Sequence, residues 1–471
     1  MEDIYKKYLF YKEKYSNEFL ENYPVLYEEI ENSLTYIDGF GEKFNVKRGL
    51  HVGRAKLFDS EFQFINNNIN YNEKAIIFYA GSAPAQQLYL LGKLYPNIKF
   101  VYIDPAPFTV VTSWRKNKFT TEPIYHYNDF FNENFVYLRV NKKNKNNIYI
   151  YDLNEEKVFY GLKDNNKEII ESNPYKIIDF IKNTNYQFIC IEDFFIDSMC
   201  SWMNKNYYNV KTFFFSDIRT VMGTALDTET EGPNIPNNSD IIINNAQQFI
   251  WLNHSNCDAY MFKFHPPYPV NEIQKNKDIE YLVNSNILKI IKDSVNLDFL
   301  NNYINDKYEY VDGLSFIQSW AAKSTTEVRL VIKGIIDPDY TIENCLDNIS
   351  NNFLENKYKL KYYDNIEIEN KFMFYNRIDR TETKYKNKLI YLLKDNYVNN
   401  SVGYDYCPDC AREIDIISDY VKNPNKLYII KFKDTYTLFN IEGEYNTIEE
   451  LGYIINCVLH RSLKIQDHGF K

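Results

Sequence analysis

Four charged side chains lie within or beside apolar segments of this chain: Lys56, Asp217, Lys263 and Glu327. A lysine that is buried beside a second cation loses affinity for its proton and can then serve as a general base. Carboxylates close to it can orient an amine or a hydroxyl group. Each charge alone also fits an edge position with its head in solvent, so the chemistry requires a fold that brings the four together.

The segments that carry these charges have the patterns of one helix and three strands. The run KLFDSEFQFI, which begins at Lys56, has the spacing of an amphipathic helix, whereas FFFSDIRT, DAYMFKFHPPYP and TEVRLVI are apolar strand patterns. The run DIIINNAQQFIWL predicts a helix between two of these strands. The alternation of strands and helices favours an α/β fold.

The clearest ligand-binding pattern is a βαβ unit that begins at Ala75. The run AIIFYAGSAPAQQLYLLGKL predicts a buried strand, a tight turn of small residues and a helix, and FVYIDP predicts a second strand ending at Asp104. Gly81 lets the backbone approach a ligand closely, and Asp104 is placed to accept hydrogen bonds from a ribose diol. Such a turn is also a common tight connection, and the pattern alone leaves both interpretations open.

Composition limits the class of protein. The 471 residues include 45% hydrophobic and 17% aromatic residues, which excludes wholesale disorder. A net charge of −10 argues against a broadly basic surface, so we expect any RNA binding to be local and expect no DNA partner. No membrane span or signal peptide is expected. Seven scattered cysteines fit free thiols in a reducing compartment, which predicts a cytoplasmic protein.

Three parts are predicted along the chain. Residues 1–50 are interpreted as an N-terminal segment packed on the core, 51–376 as the main α/β domain with an insertion at about 110–187, and 377–471 as a C-terminal extension. The extension holds a set with the ligand types of a structural zinc site: Cys407, Cys410, Cys457 and His460. Because Cys457 lies on an apparently amphipathic helix, where a buried thiol is ordinary, no metal is predicted.

Several segments resemble, in the same order, the poxvirus-type cap-specific mRNA 2′-O-methyltransferase family, whose members also serve as poly(A) polymerase subunits. They are RAKLFDSEFQFI, FYAGSAP, YIDP, FFID, FFFSDIRT, MFKFHPPYP, TEVRLVI and IENKFMFYN. The resemblance covers most of residues 50 to 376. It implies a Rossmann-like S-adenosylmethionine-dependent methyltransferase sheet flanked by helices, with a large insertion and a C-terminal extension. It also implies a viral protein of the host cytoplasm, viral factory or virion.

The resemblance implies a catalytic role for the four charges. The reaction would transfer a methyl group from S-adenosylmethionine to the ribose 2′-hydroxyl of the first transcribed nucleotide, converting cap 0 to cap 1. Lys263 would take the hydroxyl proton as general base, helped into its neutral form by Lys56 and by the sulfonium of the cofactor. Asp217 and Glu327 would orient the amine and the hydroxyl.

Cofactor contacts are implied at a set of positions around the turn and the strand ends: Tyr79, Gly81, Ser82, Ala83, Pro84, Asp104, Phe195, Ile196 and Asp217. The chain departs from the family in two places. Ala85 stands where the family turn has glycine, and the arginine expected after the ribose-binding acid is replaced within Pro105, Ala106 and Pro107. Cofactor contacts at these positions are therefore expected to differ from those of the family.

Cap recognition is implied at three positions. A methylated guanine is cationic and planar, so stacking between aromatic rings is its natural mode of binding. Tyr268 matches the family's stacking aromatic, Tyr36 is the predicted partner ring, and Glu369 would accept hydrogen bonds from the guanine edge. Val270 stands where the family has a cap-contacting acid.

Two arginines follow the acids of the catalytic set by two residues each, Arg219 after Asp217 and Arg329 after Glu327. Both are predicted near the same cleft, where they can pair with the carboxylates or with RNA phosphates. The ion pair is the favoured interpretation, and Arg219 is also a candidate RNA contact.

Two alternative functions stay open. The chain could be an RNA-binding subunit that stimulates a poly(A) polymerase or a transcription complex, or a 2′-O-methyltransferase acting on uncapped RNA, because fold and catalytic set are shared with ribosomal RNA enzymes. The cap-stacking aromatics discriminate against the second alternative. The predicted partners are capped mRNA and the polymerase or capping machinery, with no membrane.

Overall fold

The computed structural model has a mixed α/β fold, in which helices flank a mostly parallel sheet, and this confirms the predicted α/β class. It describes most of residues 52–108, five short strands between 111 and 161, residues 174–218, most of 237–294, Tyr303, most of 307–364, and two strands between 430 and 445. None of the helices described is long and apolar enough to cross a membrane.

Six α-helices are described. They are α1 (Val52–Asn68), α2 (Pro174–Asn183), α3 (Asn238–Asn253), α4 (Glu272–Val283), α5 (Asn286–Ser294) and α6 (Ile342–Ser350). Two short 3-10 helices, Asp197–Met203 and Lys205–Tyr207, follow one another in the chain.

The strands fall into one large sheet and three pairs. In chain order they are β1 (Ala75–Ala80), β2 (Ile98–Ile103), β3 (Val111–Lys116), β4 (Pro123–Tyr127), β5 (Phe135–Val140), β6 (Ile148–Asp152), β7 (Val158–Gly161), β8 (Phe188–Glu192), β9 (Lys211–Ser216), β10 (Ala259–Phe264), β11 (Lys307–Val311), β12 (Leu314–Phe316), β13 (Val328–Lys333), β14 (Leu360–Asp364), β15 (Ile430–Lys433) and β16 (Glu442–Tyr445). The pairs are β3 with β4, β11 with β14, and β15 with β16.

The large sheet has the order β12-β13-β10-β9-β1-β2-β8-β5-β6-β7. The six strands from β10 to β5 run parallel, and the two strands at each end are antiparallel to their inner neighbours. From β1 the chain adds β2 and β8 on one side and then β9 and β10 on the other. This reversal is a topological switch point, and open α/β sheets bind ligands in the crevice outside the carboxyl ends of the strands there.

Continuous apolar runs form the central strands because both faces of this part of the sheet are covered. Every residue of β1 and β8 is buried, as expected for parallel strands with helices on both sides. On one face lies α3, whose start is fixed by a reciprocal cap: the Asn237 side chain accepts from the Asp240 N–H, and the Asp240 carboxylate accepts from the Asn237 N–H.

Residues of the predicted insertion extend the sheet. Beside the separate β3–β4 hairpin, β5 pairs in parallel with β8, and β6 and β7 continue the sheet outward. The physical reason lies in the apolar residues of β5, because Val136 and Leu138 are buried in the same core as β8. Near residue 187, α2 leads directly into β8.

Candidate active site

The four charges lie at one edge of the sheet. Asp217 directly follows β9, and Lys263 is the fifth residue of the six in β10. Because β13 runs antiparallel to β10, with Lys263 opposite Arg329, Glu327 just before β13 lies beside the end of β10. Lys56 reaches the same place from α1. The sheet topology thus brings together residues from distant parts of the chain.

Lys263 lies between two carboxylates. Its Nζ is 3.0 Å from Asp217 Oδ1 and 3.2 Å from Glu327 Oε2. Lys56 Nζ donates to the other oxygen of Glu327 at 2.5 Å. The side chain of Glu327 is 5% exposed and that of Lys263 is 15% exposed, so the cluster is largely shielded from water.

Arg329 is the fifth charged residue of this cluster. Its Nη1 donates to Asp217 Oδ1 at 2.9 Å, its Nη2 is 3.8 Å from Glu327 Oε1, and its side chain is 2% exposed. Such burial favours the ion-pair interpretation over contact with RNA phosphates. Three cations against two carboxylates leave these five residues with one net positive charge.

Gln318 bridges the ion pairs, and sequence reasoning missed it. In the orientation that satisfies both ends of its amide, it donates to Glu327 Oε1 at 3.3 Å and accepts from Arg329 Nε at 2.8 Å. No pattern in the sequence marked this residue, because its role depends on a contact made in three dimensions.

The surrounding charges shift the pKa values of Asp217, Glu327 and Lys56. Burial by itself would raise the pKa of Asp217 and of Glu327, but Arg329, Lys263 and Lys56 outweigh it, and both pKa values are lowered. Burial, aided by Lys263 and Arg329, lowers the pKa of Lys56 against the opposing pull of Glu327. At neutral pH the two carboxylates are therefore ionised.

Gly81 brings the loops after β1 and β9 together. Its φ is +75°, and a Cβ added there would lie 2.8 Å from the carbonyl carbon and oxygen of Asp217. The Asp217 N–H donates to Ala80 O at 2.9 Å and joins the ends of β9 and β1, while the Gly81 N–H donates to Ile103 O of β2 at 2.9 Å. Any side chain at Gly81 would push Asp217 away from the cluster.

The predicted ribose-binding acid links two strand ends. Asp104 accepts the Ala83 N–H on Oδ2 at 3.0 Å and the Ala106 N–H on Oδ1 at 2.7 Å. Its pKa is raised by burial, which these two hydrogen bonds partly offset. Each carboxylate oxygen has a second lone pair, so Asp104 keeps the capacity to accept from a ligand.

Ser82 provides an independent sign of a ligand at this edge. Its side chain is 3% exposed, and within the part of the chain that the structure describes its hydroxyl has no hydrogen-bond partner. A buried hydroxyl without a partner is uncommon and needs an explanation. A polar ligand in the crevice between the loops would supply one.

Aromatic side chains line the rest of the predicted cofactor region. Tyr79 is buried and packs against Tyr102 and Phe215, with ring centroids 5.5 and 5.6 Å apart. Phe195 is half-buried and stacks on Phe214 at 5.1 Å. Ile196, also half-buried, packs against the core next to it. Phe195 and Ile196 follow the carboxyl end of β8, at the same edge of the sheet as Asp104.

Glu61 is a second residue that sequence reasoning missed. It is 1% exposed on α1, accepts from Gln87 Nε2 at 3.1 and 3.4 Å, and is hydrogen-bonded to Tyr79. A signal was present, because Glu61 falls between Phe58, Phe62 and Ile65 on the apolar stripe of the predicted helix. Burial raises the pKa of Glu61 to about 8, although the hydrogen bonds from Gln87 and Tyr79 oppose it.

Replacing Glu61 should therefore have a pH-dependent effect on stability. In the wild type, the free energy of unfolding should fall as pH rises from about 4.5 to about 8, because only the unfolded chain releases the Glu61 proton in this window. Glu61→Gln removes that dependence. In thermal unfolding, the melting temperature of the variant relative to that of the wild type should be higher at pH 8 than at pH 5. An equal difference at both pH values would contradict a buried, neutral Glu61.

The predicted cap-binding residues are placed in part. Tyr268 is half-buried in the loop after β10, with its ring centroid 4.3 Å from that of His265, and Val270 packs against the core. The positions that lie outside the described residues are Tyr36, Pro84, Arg219 and Glu369, together with Cys407, Cys410, Cys457 and His460.

Metal ligands do not converge in the described part of the chain. No group of three or more His, Cys, Asp or Glu residues there is placed to hold a metal ion. The four cysteines described are free and buried: Cys190, Cys200, Cys257 and Cys345.

A cavity of about 570 Å³ lies at the opposite edge of the sheet, where β9 and β10 begin. Its charged lining residues are largely paired with protein groups. Lys211 is 3.0 Å from Glu73, and Asp258 pairs with Lys205. Asp312, another lining residue, pairs with Lys361 at 2.9 Å and with Lys359 at 3.5 Å.

No family model matches this chain, and a search of curated protein sequences finds no match. Its function is therefore inferred from the arrangement of its own residues at the carboxyl edge of the sheet. The strongest features of that edge are the lysine held by two carboxylates and the close approach of Gly81 to Asp217.

Proposed function

We propose that this chain is an S-adenosylmethionine-dependent methyltransferase that modifies the ribose 2′-hydroxyl of the first transcribed nucleotide of capped mRNA. The observation that carries the proposal is the position of Lys263. It lies between Asp217 and Glu327 at the carboxyl edge of the sheet, beside the switch-point crevice between β1 and β9. A lysine in such a setting is suited to receive a proton from a hydroxyl group.

The crevice fits the cofactor. S-adenosylmethionine, when bound, supplies an electrophilic methyl group on its sulfonium. Ser82 and the backbone around Gly81 would hold the methionine part, Asp104 would accept from the ribose diol, and Phe195 and Ile196 would flank the adenine. The orphaned hydroxyl of Ser82 and the spare lone pairs of Asp104 are the observations that support this fit.

Strand order also supports a Rossmann-like methyltransferase. From β8 to β10 the strands stand in the order third, second, first, fourth and fifth along the chain, as in doubly wound sheets that bind nucleotides. Next to β10, the sheet continues with β13, which runs antiparallel to it. This support is at the level of the fold, whereas the chemistry rests on the site.

The charge balance of the site includes Lys263 and its four charged neighbours. With Lys263 protonated, the five charged residues carry one net positive charge, and with Lys263 neutral they carry none. Lys56 and Arg329 share the two carboxylates with Lys263. The neutral amine can then accept the 2′-hydroxyl proton while Asp217 and Glu327 hold the resulting ammonium.

Tyr268 is the residue that would stack on the cap of an mRNA. Tyr268 lies five residues beyond Lys263, in the loop that follows β10, and an aromatic face attracts a planar cation such as methylated guanine. A cap held at Tyr268 would deliver the nucleotide next to it towards Lys263. Capped mRNA is therefore the proposed substrate.

Methyl transfer from labelled S-adenosylmethionine tests this proposal. The substrates are short RNAs of one sequence, with either a methylated guanosine cap or a 5′ triphosphate. We expect capped RNA to be methylated about tenfold more efficiently or better, since stacking on an aromatic side chain contributes about 1–3 kcal/mol. Equal transfer to both RNAs would contradict cap specificity. Absence of transfer to both RNAs would contradict the proposed methyltransferase activity.

A further inference from the structure

Three side-chain amides on one face of α3 bind the backbone of the segment from Lys263 to Tyr268. Asn245 lies seven residues beyond Asn238, and Gln248 three further on, which places them along the same side of a helix. All three are buried, with exposed fractions of 4% or less. We call Asn238, Asn245 and Gln248 the amide row.

Each member of the amide row bonds a different point of that segment. Gln248 Nε2 donates to Lys263 O at 2.9 Å, and Asn245 Nδ2 donates to His265 O at 2.9 Å. Asn238 makes two bonds to one residue: its Oδ1 accepts the Tyr268 N–H at 2.7 Å, and its Nδ2 donates to Tyr268 O at 2.9 Å.

Asn238 is itself fixed by a buried network. Its Nδ2 also donates to Tyr303 Oη at 2.8 Å, and Tyr303 donates in turn to Asp278 Oδ2 at 2.6 Å. Asp278 Oδ1 accepts from Gln274 at 3.0 Å. The capping box at the start of α3 holds the same end of the helix. A satisfied polar network of this kind rigidifies what it contacts.

We infer that the amide row sets the position of Tyr268 relative to Lys263, and that Asn238 is a specificity-determining positioning residue for the cap. This inference rests on the proposed function. The HPPYP loop contains three prolines, which cannot donate backbone hydrogen bonds, so external amides supply the contacts that hold it. Fixing the loop at both ends sets the distance between the stacking ring and the amine that receives the proton.

Asn238→Ala tests the inference by its effect on cap affinity. Loss of the two bonds to Tyr268 should weaken binding of a 7-methylguanosine triphosphate analogue by about 3- to 10-fold in calorimetry, the equivalent of one net hydrogen bond. The KM for capped RNA should rise by a similar factor, whereas transfer to uncapped RNA, which does not use the ring of Tyr268, should change less.

Asn253→Ala is the matched control. Asn253 lies at the other end of α3 with the same 4% exposure, and it bonds Phe249 O and the Lys357 N–H instead of the loop. Its replacement removes a buried amide without touching Tyr268. Cap affinity should remain at the wild-type value.

Tyr268→Ala separates positioning from general stability. If Asn238 acts through Tyr268, Asn238→Ala should cause no further loss of cap affinity in a Tyr268→Ala background. Equal losses in both backgrounds, an equal loss in Asn253→Ala, or unchanged affinity in Asn238→Ala would overturn the inference. Absence of cap binding by the wild type would also overturn it, whereas methyl transfer by the wild type is judged separately and decides the proposed function.

Discussion

Lys263→Ala should lower the rate of methyl transfer by about 100- to 10,000-fold, the range that a positioned general base contributes. The variant removes the group held between Asp217 and Glu327 at 3.0 and 3.2 Å. Binding of S-adenosylmethionine, which depends on other residues of the crevice, should be retained in calorimetry. Single-turnover transfer to capped RNA measures the chemical step directly.

Lys263→Arg distinguishes a base from a fixed positive charge. Arginine keeps the charge but does not release its proton in proteins, so this variant should be as inactive as Lys263→Ala. The matched control is Lys211→Ala, which removes a lysine from the opposite end of β9 where it pairs with Glu73 at 3.0 Å. Transfer by Lys263→Arg at near the wild-type rate would exclude Lys263 as the base.

Arg329→Met should cause the largest loss of stability among the variants considered. Removing one partner of a buried ion pair costs about 3–5 kcal/mol, and Asp217 would lose the guanidinium that donates to it at 2.9 Å. The side chain of Arg329 is 2% exposed, so water cannot replace it. We expect the melting temperature to fall by about 3–5 °C in thermal unfolding, because the entropy of unfolding of a chain of this length is about 1 kcal/mol/K.

A double-mutant cycle tests the cause of that loss. In Asp217→Asn with Arg329→Met, one charge of each sign is removed, and the free energy of unfolding should fall by less than the sum of the single losses. Lys205→Met serves as the control, because its pair with Asp258 is more exposed and should contribute about 1 kcal/mol or less. Strictly additive losses at Asp217 and Arg329 would contradict direct coupling.

The positions of the four charges were predictable because each lies within or beside a strongly periodic apolar segment. Lys56 falls on an amphipathic helix, and Lys263 is a lone charge inside an apolar strand. The run of small residues around Gly81 likewise predicted a tight turn after β1. These are local signals, and local periodicity is what a single sequence records best.

Residues that act through distant contacts gave weaker signals or none. Gln318 bridges Glu327 and Arg329 without any pattern around it, and Asn238 resembles many other asparagines of the chain. The pairing of β5 with β8 was also missed, because it joins segments separated by more than forty residues. Such contacts follow from packing in three dimensions, which one sequence does not reveal.

The central claim is that Lys263 and its neighbours direct a methyl group onto a ribose 2′-hydroxyl next to a cap. The most direct measurement compares two capped RNAs that differ only at the first transcribed nucleotide, one with ribose and one with 2′-deoxyribose. Labelled methyl should appear on the first ribose of the former, located by mass spectrometry after nuclease digestion, and the latter should accept none. Equal labelling of both RNAs, or no labelling of the ribose substrate, would contradict this function.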